Sequence, residues 1–215
     1  MQAISVVDRY LIARHSFFKW RYSLTLVNKF VMAFGMASVT GLLALVRIPL
    51  PFTPVPITGQ VLGVLLSGAV CGGVFGSISQ IIYVGLGIAG VPWFAGGETY
   101  SLSAGIPPTG GYLIGFILAP LIIGRYTDRY ISARTFLSQI KFMMMGVGII
   151  YLFGAIVLSL VKGWGLWETM IKGVAPFILV DLIKAAIAAG VSFSILPKAS
   201  YNGELDRSKY LDRRH

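Results

Sequence analysis

The sequence predicts an all-α integral membrane protein with six transmembrane helices and both termini in the cytoplasm. Three observations lead there: 56% hydrophobic residues, only 12% charged residues, and basic residues that gather at the ends of long apolar runs. An ordinary soluble domain carries roughly 25% charged residues, and the mean hydropathy of +0.79 belongs to a chain whose solvent is lipid. The formal net charge of +10 does not indicate nucleic acid, because the Lys and Arg form no face with interleaved aromatics. Cys71 stands alone, so an intramolecular disulfide or a multi-cysteine metal site is excluded, and a packed thiol is the simplest reading.

The first 28 residues mix charges with aromatics and hold no uninterrupted apolar core, so they read as a basic cytoplasmic N-terminal extension and not a cleavable signal peptide. Phe30–Val46, uncharged between Lys29 and Arg47, is span one, at the short end of what crosses a hydrocarbon core about 30 Å thick. Ile48 to Gly97 contains no charge at all, enough for a connector and two further spans, about Ile57–Val70 and Val74–Ala89, broken near Cys71-Gly72-Gly73. Val91–Gly111 is rich in Gly and Pro and predicts a loop able to act as a lid. Tyr112–Gly124 begins span four and carries Pro120; Phe142–Val161 is span five; Lys162–Lys172, with Trp164 and Trp167, is an interfacial turn. Gly173–Leu196 is span six, and the membrane domain as a whole covers 29–197. The remainder, 198–215, is a charged cytoplasmic tail expected to be mobile.

Fourteen of the 18 Lys and Arg lie before span one, between spans four and five, or after span six. The positive-inside rule puts those segments in the cytoplasm, so the Arg47–Gln60 strap, the Val91–Gly111 loop and the 162–172 turn gather over one outward-facing mouth.

The strap, RIPLPFTPVPITGQ, is the most informative stretch. Pro49, Pro51, Pro54 and Pro56 donate no backbone hydrogen bond and push their predecessors to extended conformations, so a stiff segment without a ladder is expected. Irregular backbone near a membrane survives where protein buries it or where it lines a wet cavity, so the strap reads as a pocket wall or as a tight connector. Asp181 and Lys184, three apart on span six, share one helix face, and a charge at the bilayer centre costs roughly 2.5 to 3.5 kcal/mol. Either they neutralise each other and pack the span, or they await a polar ligand. GxxxG spacings at Gly59–Gly63 and Gly111–Gly115 favour internal packing, whereas the stripe Ala33, Ala37, Gly41 suits either internal packing or an outer face for another membrane protein.

Enzymatic chemistry finds little support. The spans hold no histidine and one carboxylate, too few for a paired acid and base. Gly85-Leu86-Gly87-Ile88-Ala89-Gly90 matches a dinucleotide fingerprint only in letters, since it ends an apolar span and precedes Val-Pro, and no GxxxxGK[ST] loop exists.

Three ordered motifs, IPLPFTPVPITGQ (48–60), PPTGGYLIGF (107–116) and PFILVDLIKA (176–185), make the chain resemble the BioY family over about Lys29–Leu196. These are the biotin-specific substrate-binding (S) components of energy-coupling factor (ECF) transporters. The resemblance implies the S-component fold, biotin as transported ligand with no cofactor, and a multi-pass protein of the plasma membrane. It further implies a membrane coupling (T) protein and two ATPase subunits as partners, lipid around the helices, and no nucleic acid. By motif it implies biotin contacts at Asp181, Lys184, Gln60, Tyr112 and Thr53, with Arg47 as a further cation, and docking through Ala33, Ala37 and Gly41. An S component for another vitamin, or an importer working without ATPases, would fit the same spans. The chain departs from the usual family pattern at Gly59, Val180 and Glu98.

Overall fold

The structure is a computed structural model that describes residues 5–100 and 105–211; residues 101–104 of the expected loop and 212–215 of the expected tail lie outside the described residues. Four helical stretches, Leu26–Ala44, Gly110–Arg129, Phe136–Lys162 and Leu166–Ile195, are long and apolar enough to cross a membrane. The helices in the uncharged segment between residues 48 and 97 are apolar as well but shorter.

Helix α1 (Val6–Ser23) is an addition to the expected pattern. Ser5 caps it, accepting from the Asp8 backbone N–H while the Asp8 carboxylate accepts from the Ser5 N–H, so two orphan donors of the first turn are satisfied together. Its face Tyr10, Arg14, Phe18, Arg21 recurs at helical spacing. Tyr10 and Arg14 bond the Ser194 carbonyl, and Arg21 bonds the Val70 carbonyl at 3.1 Å. Those contacts lie at the ends of two different helices, so α1 runs across the end of the bundle rather than along it.

Helix α2 (Leu26–Ala44) leads into the strap, whose ends form a small antiparallel ladder: β1 (Arg47–Ile48) against β2 (Ile57–Thr58), with Arg47 opposite Thr58 and Ile48 opposite Ile57. The expectation of a strap without a ladder is thereby corrected. The prolines all fall within residues 49–56, inside the loop, and the ladder uses the flanking residues that keep their N–H groups. Helix α3 (Gln60–Cys71) starts directly after it. Gly59 approaches α2 so closely that a Cβ there would sit 2.5 Å from the Leu43 carbonyl oxygen, which accounts for glycine at this point of departure from the family. Gly72, at φ +81°, turns the chain into α4 (Gly73–Ile88).

Helix α5 (Gly110–Arg129) is the centre of the bundle and packs on α3, α4 and α6 (Phe136–Lys162). A Cβ at Gly124 would overlap the backbone of Gly73, and one at Gly111 the backbone of Phe153, so both contacts need glycine. The expected 162–172 turn instead holds a short helix, α7 (Leu166–Gly173); a 3-10 turn carrying Pro176 covers Ala175–Phe177, and α8 (Ile178–Ile195) makes up the rest of the expected span six.

The stripe on α2 faces inward. Ala33 and Ala37 are fully buried where α2 packs on α3 and α4, and the Trp93 ring covers Gly41. The docking expectation for Ala33, Ala37 and Gly41 is therefore corrected. Small residues are placed there so that the helices can approach and Thr40 can accept from the Gln80 amide at 3.2 Å, while the outer face of α2 carries bulky Phe30, Val31, Phe34 and Leu42. Ala37→Leu is accordingly expected to lower stability by about 1 to 3 kcal/mol through overpacking, read as a fall in thermal midpoint in detergent. An unchanged midpoint would return the stripe to an outer surface.

The tail is also not free. Arg134, in a 3-10 turn after α5 (Ser132–Arg134), is fully buried, donating to Glu204 at 2.5 Å and to the carbonyls of Thr127 and Pro197. Arg21 pairs with Asp128 at 2.5 Å, and the Tyr201 ring lies between the two guanidinium groups. Asp206 accepts from the N–H groups of Ile131 and Ser132. The segment from Pro197 to Asp206 is thus clasped to the bundle where a mobile tail was expected, and the short helix α9 (Ser208–Leu211) follows it.

Burial alone would raise the Glu204 carboxyl, but hydrogen bonds from Ser200 and Arg134 outweigh it and hold it below its ordinary value. Asp206 is lowered likewise by its backbone donors, against burial. The unfolded tail therefore takes up protons at higher pH than the folded one, so the clasp is at full strength above the ordinary carboxylate range and weakens as pH falls through it. Amide-exchange protection of 198–207 should be flat from about pH 8 to 5 and decline below about pH 4; a decline centred near neutrality would contradict this assignment.

Candidate ligand-binding site

Opposite the end that holds α1 and the tail, the bundle encloses a cavity of about 280 Å³. The strap from Pro54 to Thr58 forms one wall, the loop from Phe94 to Tyr100 another, and α5, α6 and α8 the remainder. Most of the lining is aliphatic or aromatic, with Tyr112, Phe116, Ile150 and Phe177 as the larger buried surfaces.

Asp181 lies in the first turn of α8, where the helix dipole favours an anion, and is 4% exposed. Each of its carboxylate oxygens has a partner: Oδ1 accepts from Lys184 Nζ at 2.7 Å and Oδ2 from the Tyr151 hydroxyl at 2.7 Å. Lys184 is nearly as covered, with 13% of its side chain exposed. The pair is therefore both self-neutralising and in the cavity wall, joining the two alternatives that helix spacing left open.

Gln60 opens α3 directly beneath the strap. Its amide nitrogen donates to the Tyr83 hydroxyl at 2.5 Å and its oxygen accepts from Thr58 at 2.7 Å, leaving one N–H and one lone pair uncommitted. Tyr83 is in turn fixed by Trp93, whose indole N–H donates to the Tyr83 carbonyl at 2.9 Å. Tyr112 donates to the Gly173 carbonyl at 2.6 Å, so its contribution to the cavity is its ring, seated over Gly154, where a Cβ would overlap it. Arg47 stands at the rim, ion-paired with Glu98 of the loop.

Asp181, Lys184, Gln60, Tyr112 and Arg47 thus converge from four separate parts of the chain onto one cavity. Thr53 does not join them. Its hydroxyl accepts from the Val55 N–H at 3.2 Å and stabilises the turn of the strap, and the expectation of a ligand contact there is corrected: a threonine between prolines serves its own backbone first. Tyr151, Thr58 and Tyr83 were not anticipated. A lone phenol at Tyr151, midway along an otherwise uncharged span, was the available signal for a buried hydrogen-bond partner.

A helical, membrane-embedded binding protein is what the fold and cavity define: an enclosed apolar chamber near one end of the bundle, with a few converging polar groups and no paired catalytic groups on its wall among the described residues. Sequence comparison specifies it further. The BioY family profile matches residues 14–200, and the chain belongs to that family. It is 42% identical over 157 residues to the probable biotin transporter BioY of Methanothermobacter thermautotrophicus, covering 67% of this chain and 96% of the relative. The biotin transporter BioY of Thermotoga maritima is 36% identical over 151 residues, covering 69% of this chain and 85% of that one. Among solved structures, the S component for biotin from an ECF-type ABC transporter superposes with a TM-score of 0.72 at 26% identity, covering 80% of this chain and 93% of that chain.

Proposed function

We propose that this protein captures biotin in the cavity between the strap, the loop and α8, as the substrate-binding subunit of an ATP-driven ECF importer of the plasma membrane. The observation that carries the reading is the convergence of Asp181, Lys184 and Gln60 on one apolar chamber in a chain of the BioY family. The ureido ring of biotin has two N–H donors and one carbonyl acceptor, which match the Asp181 carboxylate and the uncommitted positions of Gln60. The valerate tail runs towards the cations Lys184 and Arg47, each of which already carries an acidic partner, and the thiolane ring and chain suit the surfaces of Tyr112 and Phe116. At about 280 Å³ the cavity is at the lower end of small-ligand sites, ~300 to 1,000 Å³. Nanomolar affinity for such a ligand needs only ~0.8 kcal/mol per heavy atom, below the small-ligand ceiling.

Both termini lie in the cytoplasm in this reading, with six spans and the cavity open to the outside, because fourteen of the 18 basic residues flank the terminus-bearing side. A chain with neither a nucleotide site nor a coupling ion can equilibrate biotin but cannot accumulate it, so in this reading concentrative uptake calls for a coupling protein and two ATPase subunits. Calorimetry with purified protein in detergent tests the capture: tight one-to-one binding of biotin, undisturbed by thiamine or riboflavin, is expected. Absence of binding by folded protein overturns it. Uptake into liposomes by this chain alone would favour an importer working without ATPases.

A further inference from the structure

We propose that Glu98 sets the ligand selectivity of the cavity mouth, making it charge-neutral so that biotin with an uncharged, amide-capped tail is accepted about as well as the free acid. The inference rests on biotin as the ligand and concerns which end-group the site admits.

Four charged side chains line the cavity, and each has an opposite charge as its partner: Lys184 with Asp181 at 2.7 Å, and Arg47 with Glu98. The wall therefore offers a ligand anion no uncompensated cation. Arg47 and Glu98 are the pair nearest water, with 35% and 62% of their side chains exposed, against 13% and 5% for Lys184 and Asp181. A ligand that places its polar ring against Asp181 and Gln60 ends its tail at that rim, where an ionised end-group loses least hydration.

The turn that presents Glu98 is built for this contact. The Phe94 N–H donates to the Glu98 carbonyl at 3.0 Å, the Gly97 N–H to the Phe94 carbonyl at 2.8 Å, and the Gly96 N–H to the Ala44 carbonyl at 2.9 Å, pinning the loop to the end of α2. Gly96, at φ +76°, lies directly against the Arg47 stem; a Cβ there would sit 2.8 Å from Arg47 Cδ. Arg47 also donates to the Ala95 carbonyl at 3.4 Å. Glu98 therefore balances the Arg47 charge, through Nη1, where a ligand carboxylate would seek it. A free acid must displace it or lie beside a like charge, whereas a carboxamide avoids the conflict and can donate an N–H to Glu98.

The test compares biotin with biotinamide, its uncharged near-isostere, by calorimetry at low ionic strength on the full-length protein. The wild type should bind the two within about threefold of each other, and Glu98→Gln should favour the acid by about tenfold because Arg47 is released. Adding Arg47→Gln to Glu98→Gln should abolish that preference. A tenfold or greater preference of the wild type for the acid, or an acid-to-amide ratio that Glu98→Gln leaves unchanged, overturns the proposal. Failure of both ligands to bind folded wild type is a separate result: it overturns the biotin reading, and this proposal with it.

Discussion

Asp181→Asn is expected to weaken biotin binding by ~2 kcal/mol or more, about 30-fold, with the protein still folded. The carboxylate uses both oxygens, one for Lys184 and one for Tyr151, at 2.7 Å each. An asparagine amide replaces one of those acceptors with a donor, which then faces either an ammonium or a phenolic hydroxyl. Lys184 loses its counter-charge in a wall where little water reaches it, and the acceptor for a ureido N–H is lost at the same time. Tyr151→Phe removes one donor and no charge, so a smaller loss, about 1 kcal/mol, is expected. Calorimetry gives the affinities, and the thermal midpoint without ligand separates loss of binding from loss of fold. Unchanged affinity in Asp181→Asn would mean that the pair serves packing alone.

Arg134→Met is expected to destabilise the protein by about 3 to 5 kcal/mol, the usual cost of leaving one member of a buried ion pair alone. Neither side chain of the Arg134–Glu204 pair has any exposure. Without the guanidinium, Glu204 keeps only Ser200 and the Tyr201 N–H, and the carbonyls of Thr127 and Pro197 lose their donor. The double variant Arg134→Met, Glu204→Leu should recover most of the loss, because it removes both charges and returns apolar volume. Thermal unfolding in detergent measures both. A single variant within about 1 kcal/mol of wild type would show that water or another group replaces the pair. Biotin affinity should be unaffected, since this cluster sits at the end of the bundle away from the cavity.

Much of this was readable from the chain. Long uncharged runs such as Phe142–Val161 identify helices because lipid permits few alternatives, and α6 extends beyond that run at both ends. Asp181 and Lys184 were conspicuous because charge in an apolar run needs a partner, and their spacing alone puts them on one face. What was not readable depends on direction rather than identity. The Ala33 stripe fits an inner or an outer face equally well, and only the positions of α3 and α4 decide between them. Thr53 looks like a pocket residue by its neighbours, yet its hydroxyl is taken by a backbone N–H two residues on. Pro176 marks a break whose place the chain alone does not give: the helix before it ends at Gly173, whose carbonyl accepts from the Tyr112 hydroxyl of α5.

The sequence by itself determined the apolar surroundings, the helical class and the charged pair on one helix face, because each follows from local composition and helical period. Only the tertiary structure decided that Tyr151 completes the shell of Asp181, that Glu98 occupies Arg47, and that Arg21, Arg134 and Glu204 bind the terminal segments to the bundle. Those are contacts between residues 30, 51, 70 and 107 positions apart. Their partners are selected by which helix ends meet, and no local pattern in the chain encodes that meeting.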